Sequence, residues 1–179
     1  MRIVGGKYGG RVLPPLPRGF KARPTTDSAR ENLFNILENF ADFASSDALD
    51  LFAGTGAVSC EFVSRGCRSV DTVEIDPLHF AYIRKTAETF GFVELHAVRN
   101  DAFRFLGFCR KTYDIIFADP PFACEKTILI PSLVTEHRLL KEGGRLVIEH
   151  PAGRDFSDAP GFVESRHYGS VNFSFFLGV

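Results

Sequence analysis

The sequence predicts an α/β protein. The expected architecture is a Rossmann-like, doubly wound, mostly parallel seven-stranded sheet with a closing antiparallel strand pair, plus a small N-terminal β-hairpin. Three observations predict it. Short apolar runs alternate with helix-period segments from residue 48 onward. Gly54 and Gly56 stand in the turn between the first such run and the first such helix. The last two β-rich runs, 161–167 and 171–177, follow each other with no helix between them.

Taken in order, residues 2–13 read as two short strands around a glycine-rich turn, and Pro14, Pro15 and Pro17 make a linker reaching Arg23-Pro24. Leu33, Phe34, Ile36, Leu37 and Phe40 follow helical spacing to about Phe43, with Ser28–Glu31 as a capping box and Thr26 as a rival cap. Strands are expected at 48–52, 69–74, 93–98, 113–118 and 145–149. Helices are expected at 57–64, from Asp76-Pro77 to Phe90, from Asp101 to about Phe108, and near 126–140. The domain division that follows is a basic hairpin and linker over 1–24 and a catalytic domain over 25–179.

A chain of 179 residues buries roughly 70% of its unfolded surface, enough for one core. Nineteen Phe and no Trp are spread along it and read as core filling. No apolar run of about 18 residues occurs, which argues against a membrane span, and the N-terminus lacks the apolar stretch of a signal peptide. The four Cys have no paired spacing and the five His form no zinc signature. A cytoplasmic, metal-free monomer with reduced thiols is the expectation.

Charge is unevenly placed. Residues 1–30 carry Arg2, Lys7, Arg11, Arg18, Lys21, Arg23 and Arg30 against Asp27 alone, while the rest of the chain is net acidic. A basic arm on an acidic body suits a phosphate-binding module attached to a small-molecule domain, and Arg2, Lys7 and Arg11 are its candidate phosphate contacts.

Open parallel sheets bind ligands at the carboxyl ends of their strands. There the run Asp50-Leu51-Phe52-Ala53-Gly54-Thr55-Gly56 brings backbone close to a ligand, so Asp50, Phe52, Gly54 and Gly56 are candidate cofactor contacts. Glu74, at the end of the second strand, is placed to accept both hydroxyls of an adenosine ribose. A dinucleotide enzyme would use a similar acid, but a third glycine expected at 59 is replaced by Ser59. After the third strand, Asp101 and Ala102 stand where adenine is recognised, although Asp101 also suits a helix cap.

Asp119-Pro120-Pro121-Phe122 is the most informative tetrapeptide. An exocyclic base amine is a poor nucleophile, because its lone pair is delocalised into the ring. Asp119 and the carbonyl of Pro120 can each accept one of its N–H bonds and favour a pyramidal nitrogen aimed at a sulfonium methyl. The prolines stiffen that backbone, and Phe122 can stack on the base. Positioning does the remaining work. These readings point to S-adenosyl-L-methionine as cofactor and to a base that is flipped out or already unstacked.

The chain resembles the RsmD family of bacterial small-subunit rRNA guanine-N2 methyltransferases over essentially its whole length. The carrying segments are Arg2 to Gly6 with Gly10-Arg11, Arg23 to Asp27 with Arg30 to Asn35, Asp50 to Gly56, Val73 to Asp76, and Asp119 to Phe122. The resemblance implies that Asp50, Gly54, Gly56, Glu74 and Asp101 line a cofactor pocket, and that Asp119 and Phe122 hold a guanine of 16S rRNA presented by a ribosomal particle. It also implies that the hairpin and Arg23 grip RNA. Ser59, Cys60 and Cys67 depart from the family pattern.

Three rivals remain open at this point. An adenine-N6 or protein-glutamine methyltransferase shares the chemistry but more often shows Tyr after the prolines. A nicotinamide-dependent oxidoreductase leaves Asp119–Phe122 idle. A non-catalytic RNA-binding protein leaves two intact signature sites without a purpose.

Overall fold

The computed structural model describes residues 1–21, 26–168 and 171–178. Seven strands form one sheet: β1 (Asp47–Leu51), β2 (Ser69–Glu74), β3 (Leu95–Arg99), β4 (Tyr113–Ala118), β5 (Leu140–His150), β6 (Phe162–Tyr168) and β7 (Val171–Leu177). Their order is β3-β2-β1-β4-β5-β7-β6; the first five are parallel, and β7 inserts antiparallel between β5 and β6. All five residues of the central β1 are buried, as expected of a parallel strand covered on both faces.

Side chains alternate between two cores. Ala48, Ile115, Phe117 and Val147 pack with helices α1 (Asp27–Leu37), α2 (Ala57–Ser64) and α3 (Pro77–Phe90). Leu49, Ile116, Ala118 and Ile148 pack with α4 (Ala102–Phe108) and α5 (Ile130–Glu136) on the other face. The parallel arrangement sends the carboxyl ends of β1 to β5 to one edge, and it is this edge that carries the loops of interest.

Several boundaries differ from the sequence reading, each for a local reason. Thr26, not Ser28, caps α1 by accepting the Ala29 N–H. The helix ends at Leu37 rather than Phe43; the Asn39 side chain takes the Asn35 carbonyl, a local bond that competes with the helical ladder. Phe43 is still buried, in a separate 3₁₀ turn capped by Asp42. The stretch 126–140 splits into a 3₁₀ turn and α5, with Pro131 in the first turn of α5, where its missing N–H leaves no helical bond unmade. β3 starts at Leu95, leaving Val93 80% exposed.

The N-terminal hairpin is reduced to one bridge, Arg2 to Val12, around a 3₁₀ turn at Gly6–Tyr8. Ile3 N–H to the Arg11 carbonyl, Gly10 N–H to the Ile3 carbonyl and Leu13 N–H to the Met1 carbonyl hold its two arms together, and its backbone also pairs with the body. Val4 and Gly5 donate N–H bonds to the buried Glu61 carboxylate, both at 2.7 Å. Ser64 Oγ accepts from Tyr8 N and donates to the Gly5 carbonyl. Gly6 is obligatory there: its φ is +73°, and a Cβ would lie 2.0 Å from the Ser64 carbonyl oxygen. Ile3 and Leu13 enter the core beside α1 and α2.

Candidate active site

A cleft of about 720 Å³ opens at the carboxyl ends of β1 to β5, a size suited to a small organic ligand. Its wall begins with the loop after β1. Phe52 sits at φ +63°, a left-handed conformation that costs a non-glycine residue roughly 1–2 kcal/mol and that collects at functional loops. Its ring lies 5.6 Å from that of Phe103. Gly54 donates its N–H to Glu74 Oε2 at 2.7 Å, and Asp76 donates to Glu74 Oε1 at 2.8 Å. The carboxylate at the end of β2 is therefore held by two backbone donors while still lining the cleft.

Asp101 and Ala102 line the cleft after β3, with Asn100 beside them. Asp101 also caps α4 through Oδ1, which accepts the Arg104 N–H, so the structural role anticipated for it is real. Asp119, Pro120, Pro121 and Phe122 form the opposite wall. Burial pushes the Asp119 carboxyl up to about 6, while Phe122 stands 53% exposed at the rim. Arg154 ties this loop in place by donating to the carbonyls of Phe122 and Cys124, at 3.0 and 2.8 Å.

Two expected pocket residues lie behind the wall rather than in it. Asp50 is buried and accepts a hydrogen bond from Ser59 Oγ at 2.5 Å, and Ser59 in turn accepts from Thr72. Burial pushes Asp50 up to about 7, with further contributions from Asp119 and Glu74. Ser59, at the position of the absent third glycine, is thus the partner of Asp50. Gly56, at φ +70°, lets α3 approach the loop, because a Cβ there would meet Ile83 at 2.9 Å.

The basic arm is dispersed. Arg30 is fully buried and donates to the Arg2 carbonyl and to Asp27, so it is a fold residue and not a surface cation. Arg2 pairs with Asp27 at 3.1 Å, next to Thr26 at the cleft rim. Lys7 lies over the Tyr8 ring, and Arg11 over Tyr8 and Phe90. Asp76 caps α3 at the cleft, and Phe90 ends that 14-residue helix, about 21 Å away. Arg23 lies outside the described residues.

Sequence reasoning missed Glu149 at the end of β5 and Lys21, Thr26, Ala29 and His79 at the rim, all of which line the cleft. His79 stacks on Phe20 at 4.0 Å, and Tyr82 donates to the Pro14 carbonyl, fastening the linker along α3. Glu149 had one available signal, an acid ending an otherwise apolar strand.

Strand order, the inserted antiparallel β7, and acids at the ends of β2 and β4 define a class I methyltransferase fold. The solved structure of YhhF from Escherichia coli superimposes with a TM-score of 0.86 at 28% identity, covering 99% of this chain and 97% of that one. A hypothetical protein of Thermus thermophilus gives 0.85 at 27% identity, covering 99% of both chains. A family model described as Conserved hypothetical protein 95 matches residues 1–177. Ribosomal RNA small subunit methyltransferase D of Buchnera aphidicola subsp. Baizongia pistaciae is 34% identical over 152 residues, 83% of this chain and 75% of the relative. The protein of the same name from Haemophilus influenzae is 30% identical over 153 residues, 83% and 78% of the two chains. The chain belongs to this family of ribosomal RNA small subunit methyltransferases.

Proposed function

We propose that the protein transfers a methyl group from S-adenosyl-L-methionine to the exocyclic N2 of a guanine in 16S rRNA, in the cytoplasm, with the small ribosomal subunit or an assembly intermediate as substrate. The observation that carries this reading is the single cleft in which Glu74 and Asp101 face Asp119, Pro120 and Phe122. The cofactor supplies an electrophilic methyl group when bound. The residues present fit it: Glu74, fixed by Gly54 and Asp76, is set to accept ribose hydroxyls, and Asp101 keeps one oxygen beyond its cap bond for an adenine amino group. Asp50 acts from behind, setting the loop through Ser59.

On the other wall Asp119 accepts one N–H of the target amine and the Pro120 carbonyl the other, with Phe122 against the base plane. Burial strengthens these contacts, since charge and dipole are less screened away from water. Arg2 and Lys21 stand at the mouth for nearby phosphates. Lys7 and Arg11 contact RNA at a distance from the target base, so residues 1–24 serve as the RNA-contacting arm of the methyltransferase domain at 25–179.

Methyl transfer from labelled S-adenosylmethionine to small subunits and to bare 16S rRNA, both from cells lacking the native enzyme, tests the proposal by nucleoside mass spectrometry. N2-methylguanosine is the expected product. N6-methyladenosine, or no RNA product with cofactor binding intact, would overturn the assignment.

A further inference from the structure

Two residues beyond the paired Phe117 and Val147, β4 and β5 deliver Asp119 and Glu149 to the same side of the sheet and into the same cleft. Glu149 is 5% exposed, and among the described residues its Oε2 has no hydrogen-bond partner. Among the described residues no buried Lys or Arg stands with the pair: Lys21 lies at the rim, Arg154 is engaged with loop carbonyls, and the other titratable groups lining the cleft are His79 and the acids Glu74, Asp76 and Asp101. A buried polar atom left unpaired costs about 1–3 kcal/mol. Structures retain such atoms where something outside the fold completes them.

We infer that Glu149 is a specificity-determining residue, which with Asp119 forms a carboxyl pair reading the two adjacent donors, N1–H and N2–H, on the Watson–Crick edge of guanine. This rests on the guanine-N2 reading above and goes further by naming what selects the base. In adenine and cytosine the ring nitrogen beside the exocyclic amine is an acceptor; in guanine N1 is a donor. A second acceptor placed next to Asp119 therefore welcomes guanine and repels the other two. Burial, and then the neighbouring Asp119, push Glu149 up to about 8, which favours its protonated form. Turned toward Asp119, that proton leaves one oxygen of each residue to accept from the base, and neither carboxyl meets the other as an anion.

The test compares 16S rRNA carrying guanine at the target position with the same RNA carrying 2-aminopurine. The analogue keeps the N2 amine but has an acceptor at N1. The wild-type enzyme should prefer guanine by about 10- to 100-fold in kcat/KM, the value of one buried hydrogen bond left unmade. Glu149→Ala should bring the two substrates within about threefold of each other while binding cofactor normally. Glu149→Gln should retain most of the preference, because its amide offers the same single acceptor with a donor toward Asp119. An unchanged preference in Glu149→Ala would overturn the role of Glu149. Glu149→Gln behaving like Glu149→Ala would overturn the placement of the proton. Failure of the wild-type enzyme to make N2-methylguanosine would instead overturn the guanine-N2 reading, and this inference with it.

Discussion

On the β1–β3 side of the cleft, Glu74 accepts N–H bonds on both oxygens and Asp101 is engaged in a helix cap. On the β4–β5 side, Asp119 and Glu149 are buried in the same cleft, raised by that burial, and Glu149 keeps an oxygen unpaired. The first half is finished by the fold. The second is left for its substrate to finish. Backbone donors can complete a site only where a turn brings them inward, as the loop at 52–56 does; the two prolines after Asp119 provide no N–H.

Substitutions on each side should separate the halves. The largest effect is expected from Asp119→Ala, which removes an acceptor from the reacting nitrogen. Methyl transfer should fall by about 10²–10⁴-fold, with cofactor affinity by calorimetry nearly unchanged. Comparable turnover would remove Asp119 from the chemistry. Glu74→Ala should act on the other half. It strands the Gly54 and Asp76 N–H groups and removes the ribose acceptor, so cofactor affinity should drop about 10- to 100-fold. A rise in KM for cofactor with kcat preserved at saturation would confirm a binding role, and an unchanged cofactor KM would refute it.

The smallest effect belongs to neither wall. Neutralising Lys7 and Arg11 should lower the slope of log affinity for RNA against log salt by about 1 for each phosphate no longer engaged, leaving methylation of a short target fragment intact. Neutralising Arg2 should affect the fragment as well, because it lies at the rim beside Thr26. Equal effects of all three on the fragment would mean that the arm works at one place.

Much of this was legible in the sequence. β2, β4, α2 and α3 begin and end where apolar periodicity and the Asp76-Pro77 start signal put them, and both walls of the cleft are carried by short runs whose turn residues declare themselves. What escaped depended on partners distant in the chain. Ala29 to Leu37 reads as a helix locally, but nothing nearby says that Arg30 is sealed under the Arg2 carbonyl. Residues 2–13 do pair as a short hairpin, but nothing local says that the Val4 and Gly5 N–H groups go to Glu61, more than fifty residues away. Asp50 reads as a ligand contact because the loop after it lines the cleft; its own side chain accepts from Ser59 instead. Glu149 had only its place at the end of an apolar strand to mark it, and its pairing with Asp119 emerged once the register of β4 and β5 was known.

The carboxylate of Glu61 carries a consequence for how the molecule comes apart. It is fully buried, answered by the Val4 and Gly5 amides and by Arg65 at 3.1 Å. Peeling the first residues away would leave an anion inside the protein with one side uncompensated, so the segment has no cheap way to fray. Its amides should exchange hydrogen with solvent only as slowly as the central strands do, in the same cooperative opening, although terminal segments are ordinarily the first to let go.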